Sequence, residues 1–202
     1  ITYLNVDKDG IINLQELENA RTDKTILISV MFANNEIGTI QPISEIGKLA
    51  KQKKVIFHTD AVQAVGNIPI DVKQMGIDML SMSGHKIHAP KGIGALYVRK
   101  GIEFEPFMNG GHQEKNKRAG TENLAGIVGL GTACVLAKEN LEYHTKHVGN
   151  LRDYFLEQVS KNVENVKING SMEHRLPKKK KNTFLRIDST ALLLELDKKG
   201  IC

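Results

Sequence analysis

The chain has 202 residues, 41% of them hydrophobic and 25% charged, and a formal net charge of +5. No apolar run is long enough to cross a bilayer, the basic excess is not interleaved with aromatic residues, and the two cysteines, Cys134 and Cys202, have neither disulfide-framework nor metal-ligand spacing. We therefore expect a soluble globular protein of a reducing compartment such as the cytoplasm, with no metal, membrane or nucleic acid among its partners.

In chain order, Thr2-Tyr3-Leu4 reads as a short strand. Asn5 to Glu16 matches an EF-hand calcium loop at its first, third, fifth, sixth and twelfth places, with Asn5 where aspartate is usual. No entering helix and no second hand accompany it, and the same residues suit a strand-to-helix turn, which is the reading adopted. A helix follows from Leu14 to Ala20, then a strand from Ile26 to Phe32 that empties into Ala33-Asn34-Asn35-Glu36-Ile37-Gly38. A helix over Ser44 to Lys51 leads to strand Val55-Ile56-Phe57 and its polar sequel His58-Thr59-Asp60-Ala61-Val62-Gln63. The run Ile77 to Met82 ends in Ser83-Gly84-His85-Lys86, and one more strand falls near Pro90 to Tyr97. Long helices are expected from Glu122 to Ser160, with Cys134 facing the core. Strands at Val166 to Ile168 and Asn182 to Ile187 and a helix from Thr190 to Lys198 close the chain.

Strands alternating with helices predict an α/β fold with a mostly parallel sheet sandwiched by helices. The last elements read as the start of a smaller α+β domain. The division is 1–145 and 146–202, with the boundary near Glu142 to Val148. The run Lys178-Lys179-Lys180-Lys181 reads as a solvated loop, the alternative being a patch for an acidic partner.

Three strands ending in polar residues at the same kind of edge describe a ligand site, because open α/β sheets bind at the carboxyl ends of their strands. A lysine after a buried strand loses part of the solvation of its charge and becomes nucleophilic. Lys86 has that setting, and Ser83 and His85 offer donors to an anion. Lysine beside an anion site suggests pyridoxal phosphate, which also needs a carboxylate at its pyridine nitrogen and a donor near its phenolic oxygen. Asp60 and Gln63 supply those groups.

With Asn34-Asn35-Glu36-Ile37-Gly38, the His58 to Gln63 segment, Ser83-Gly84-His85-Lys86, Pro90 to Tyr97 and Arg118-Ala119-Gly120-Thr121-Glu122-Asn123 in this order, the chain resembles the cysteine desulfurases. These are fold-type-I pyridoxal-phosphate enzymes of the aminotransferase class V group. The resemblance covers nearly the whole chain and is strongest from Thr25 to Leu130. It implies that Lys86 anchors the cofactor and moves protons at the substrate α-carbon. It also implies that Asp60 meets the pyridine nitrogen, Gln63 the phenolic oxygen, Ser83 and His85 the phosphate, Thr121 a phosphate across a homodimer interface, and Asn35 the ring and substrate carboxylate. The segment His112 to Lys117 departs from the family in having less glycine and no arginine.

The implied reaction takes sulfur from L-cysteine, leaves L-alanine, and holds the sulfur as a persulfide for an iron–sulfur scaffold or another acceptor protein. The family's catalytic cysteine is expected a few residues beyond the segment ending at Cys202, and its phosphate-binding turn and stacking histidine before Ile1, so the chain reads as a central slice of an enzyme. Selenocysteine lyase or another class V activity is the enzymatic alternative. A catalytically incomplete fragment or binding module is the other.

Overall fold

The structure is a computed structural model and describes residues 1–201. Its centre is a four-stranded sheet in the order β1 (Leu27–Met31), β2 (Ile56–Asp60), β3 (Met79–Ser83), β4 (Gly94–Val98). The first three strands are parallel, with Met31 opposite Asp60 and Asp60 opposite Ser81, so their carboxyl ends share one edge. β4 returns antiparallel to β3.

The two sheet faces differ in chemistry because successive strand residues point to opposite sides. Ile28, Phe57 and Leu80 belong to the apolar core, with Ile43, Ile46 and Ala50 of helix α2 (Ile43–Gln52) and Leu17 of α1 (Leu14–Ala20). Asn13 caps α1 by accepting the amides of Gln15 and Glu16. Helix α2 approaches the loop before β3 so closely that a Cβ on Gly47 would run into the carbonyl of Met75. The opposite face of the sheet carries Ser29, His58, Asp60, Ser81 and Ser83.

Beyond β4 comes a single turn, α3 (Gln113–Asn116), in which Glu114, Lys115 and Asn116 all have positive φ. Helices α4 (Leu124–Glu139) and α5 (Leu141–Asn162) follow, bent by 70° at Asn140. Helix α5 continues unbroken across residues 145 and 146. A two-stranded antiparallel sheet, β5 (Val166–Ile168) with β6 (Asn182–Phe184), and α6 (Ser189–Lys198) end the described chain. Among the described residues no single helix is long and apolar enough to cross a membrane.

Two expectations change. Thr2 to Leu4 is not a strand: only Val6 makes an isolated bridge, to Ile12, and Tyr3 is exposed, because β propensity without a partner strand yields no ladder. The last strand ends at Phe184 because the chain turns at Leu185–Arg186, where Arg186 has φ 67°. The oxygens of the calcium-like loop serve the backbone, in keeping with the turn reading adopted for it. The Asp7 carboxylate accepts the amides of Asp9 and Ile11, and Glu16 accepts the amide of Asn5. Cys134 is partly buried on α4 against Ile87, Ala89 and Ala133; Cys202 lies outside the described residues.

Candidate functional site at the strand carboxyl ends

Asp60 is the last residue of β2, and its Oδ1 accepts the Val62 amide at 2.9 Å. That bond folds the chain back into the turn that carries Gln63, which is 5% exposed and lends its carbonyl to Asn67 Nδ2 at 3.1 Å. Ser83 is the last residue of β3, and a 3₁₀ turn over Gly84–Ile87 places Lys86 directly after it. Gly84 makes that turn possible: an added Cβ would lie 2.9 Å from the Ile93 carbonyl and 3.1 Å from Ala89 Cβ. Lys86 is half-buried and has neither an ion pair nor a hydrogen bond among the described residues. Ser83 Oγ lies 2.8 Å from His85 Nδ1, so hydroxyl and imidazole form one unit beside the lysine.

Asn35 is exposed on the turn after β1. Its neighbour Asn34 builds that turn, its side chain accepting the amides of Glu36 and Ile37 at 2.8 and 3.0 Å. Thr121 is exposed in the loop before α4 and shares no hydrogen bond with the others among the described residues. The strand edge thus unites Asp60, Gln63, Ser83, His85 and Lys86 and sets Asn35 on the adjoining turn, but not Thr121. A separate cavity of about 510 Å³, lined by Phe32, Pro42, Ile68 and others, includes none of these residues.

Sequence reasoning missed two features. The first is a polar chain across three strands: Ser29 Oγ is 2.8 Å from His58 Nδ1, and His58 Nε2 is 2.9 Å from Ser81 Oγ. Burial holds the His58 imidazole below the ordinary histidine value, against a weaker opposing pull from the Asp60 carboxylate. The strand period alone places His58 on the face of Asp60, two residues away, and was the available signal. The second is the lysine run, which is not a freely solvated loop. Lys181 pairs with Glu36, Lys180 lies over the Phe155 ring at 3.0 Å, Lys179 packs on Gly38, and Lys178 is half-buried. The segment before the run is docked, with the Leu176 amide on the Gly38 carbonyl at 2.9 Å and the Ile40 amide on that of His174. No local pattern announces contacts that span more than a hundred residues.

The aminotransferase class-V family profile matches residues 1–202. A cysteine desulfurase IscS from Clostridium botulinum is 52% identical over 100% of this chain and 51% of its own length. A solved NifS-like protein superposes with a TM-score of 0.93 at 38% identity, over 99% of this chain and 55% of the other. The structure described as SspA in complex with cysteine gives 0.78 and 36%, over 98% and 54%. The chain spans about half the length of the curated relatives it matches. Its mostly parallel sheet with flanking helices is that of fold-type-I pyridoxal-phosphate transferases, and the chain belongs to the aminotransferase class V family.

Proposed function

We propose that this chain is the cofactor-bearing part of a pyridoxal-phosphate-dependent cysteine desulfurase. The reading rests on one observation: Lys86 and Asp60 stand at the carboxyl ends of adjacent parallel strands, with Asp60 opposite Ser81. Neighbouring strands are about 4.8 Å apart, so an amine and a carboxylate flank one small ligand. The donor set fits pyridoxal phosphate. Asp60 offers a carboxylate to the pyridine nitrogen, Gln63 an amide to the phenolic oxygen, Ser83 and His85 a bonded hydroxyl and imidazole to the phosphate, and Asn35 an amide to the ring or substrate carboxylate. When bound, the cofactor supplies an electron sink for charge developing at the substrate α-carbon.

Lys86 holds the cofactor and takes the proton from that carbon. Having no ion pair or hydrogen bond among the described residues, the amine is available for both tasks. A cysteine thiolate then attacks the substrate sulfur. The carbon–sulfur bond breaks with its electron pair left on the β-carbon, a persulfide forms on the enzyme, and alanine leaves once protons have been returned to the α- and β-carbons. Cys134, packed against Ile87 and Ala89, is not that thiolate.

The similarity to IscS proteins supports delivery of sulfur to an iron–sulfur scaffold or thiolation partner, in the cytoplasm or an organelle matrix. Exposed Leu124 and Val128 on α4, just after Thr121, support a homodimer in which Thr121 reaches the other subunit's cofactor phosphate. The test uses the full-length protein with added pyridoxal phosphate and L-cysteine. A cofactor absorbance and alanine formation are expected, and Lys86→Ala should abolish both. Alanine formation that survives this substitution refutes the reading.

A further inference from the structure

The segment between β4 and α4 is mostly exposed, yet it is tied to itself along its length. The Lys117 ammonium donates to the Phe104 carbonyl at 3.0 Å and lies over the Phe104 ring, and the Ala119 amide donates to the Met108 carbonyl at 3.2 Å. His112 Nδ1 is 2.7 Å from Asn116 Oδ1. The Gly120 amide donates to the side chain of Gln113, at 3.1 Å from Oε1.

Inside this loop Glu114, Lys115 and Asn116 follow one another at φ 49°, 56° and 65°. Side chains disfavour such a left-handed run, asparagine least, so it persists only where surrounding bonds impose it. The run reverses the chain and brings Gln113 back to Gly120. Two glycines permit the approach. A Cβ on Gly111 would lie 2.5 Å from Gln113 Oε1, and Gly120 has φ 107°, where a Cβ would meet Arg118 Nη1 at 2.8 Å.

Thr121 comes directly after Gly120. Two residues further on, the Asn123 side chain caps α4 by accepting the Gly126 amide at 3.0 Å, and the Leu124 amide donates to the Glu122 carbonyl at 3.0 Å. The threonine therefore stands between two fixed points, the Gly120 amide and the Asn123 cap.

We propose that Gln113 is a positioning residue for Thr121: by accepting the Gly120 amide it holds the backbone that presents the threonine hydroxyl. The inference rests on the reading above, in which that hydroxyl meets the cofactor phosphate of the other subunit. A hydroxyl on a loose loop gives up conformational freedom when it takes an anion, and one already held gives up less. Gln113 thus raises phosphate affinity without touching the phosphate.

Calorimetry on the full-length, cofactor-free protein tests this, with inorganic phosphate and with pyridoxal phosphate as ligands. Thr121→Val, which loses a hydrogen bond to a charged group, should weaken both about tenfold. Gln113→Met, an unbranched side chain of similar length without the amide oxygen, should weaken both about fivefold. Hydrogen exchange at the Gly120 amide should also be faster in Gln113→Met than in wild type. The double variant should bind no more weakly than Thr121→Val alone, because Gln113 acts through the threonine. A merely structural role would make the two losses multiply, to about fiftyfold. Wild-type affinity or wild-type Gly120 exchange in Gln113→Met overturns the inference, and so does a double variant whose losses multiply. Wild-type affinity in Thr121→Val overturns the reading of Thr121 itself, and the role of Gln113 with it.

Discussion

His58 shows how one residue links strand register to chemistry. Its imidazole spans Ser29 and Ser81, so one ring joins β1, β2 and β3 on the face that ends in Asp60 and Ser83. Burial lowers its pKa from the ordinary 6.5. Between that folded value and 6.5 the unfolded chain binds more protons than the folded one, so stability rises with pH there. The contribution is complete above 6.5 and is lost as the pH falls through the folded value. We expect the melting temperature of the protein to drop between about pH 7.5 and pH 5, and His58→Gln, neutral throughout, to drop less over the same range. Thermal unfolding followed by circular dichroism reads both, and identical slopes would show that His58 does not titrate on unfolding.

Regular elements were legible where burial is one-sided or complete. The apolar runs before Asn34, His58 and Ser83 became β1, β2 and β3, and the amphipathic pattern from Ser44 became α2. Their order placed Asp60 and Lys86 at one edge before any coordinates. Two things escaped local reading: Thr2 to Leu4, whose strand character depends on a partner, and the docking of the lysine segment, which depends on Gly38. Element contacts also rest on single glycines that a sequence does not single out. Gly47 lets α2 meet the loop at Met75 and Gly76, where Gly76 itself has φ 66°. Alanine is the better helix former by about 1 kcal/mol. Even so, Gly47→Ala should destabilise the protein by about 1–3 kcal/mol, because its methyl group must displace backbone atoms rather than a flexible side chain. Urea unfolding measures this, and a variant as stable as wild type would mean that α2 and the loop can part at no cost.

The whole molecule is tied together at Thr39, which is fully buried although polar. Its hydroxyl donates to the Asp9 carbonyl at 2.6 Å and accepts the Ser171 amide at 3.1 Å, while its carbonyl accepts the Asn34 amide at 2.9 Å. One side chain thus joins the loop before α1, the Asn35 turn and the segment leading to Lys178, three stretches far apart in sequence. Thr39→Val keeps the volume but leaves the Asp9 carbonyl and the Ser171 amide without partners. The cost should be about 1–3 kcal/mol, since an unmade buried hydrogen bond forfeits the desolvation of its groups. Thr39→Ser, which keeps the hydroxyl, should cost less. The loss should also be local in its consequence: with the Ser171 bond gone, the segment from Ser171 to Lys181 detaches before the sheet does, and trypsin should cut within Lys178-Lys179-Lys180-Lys181 faster in Thr39→Val than in wild type under native conditions. Unchanged cleavage together with a lowered urea midpoint would mean that the segment is held by Arg175 and Leu176 alone, and that Thr39 stabilises only the turn it sits on.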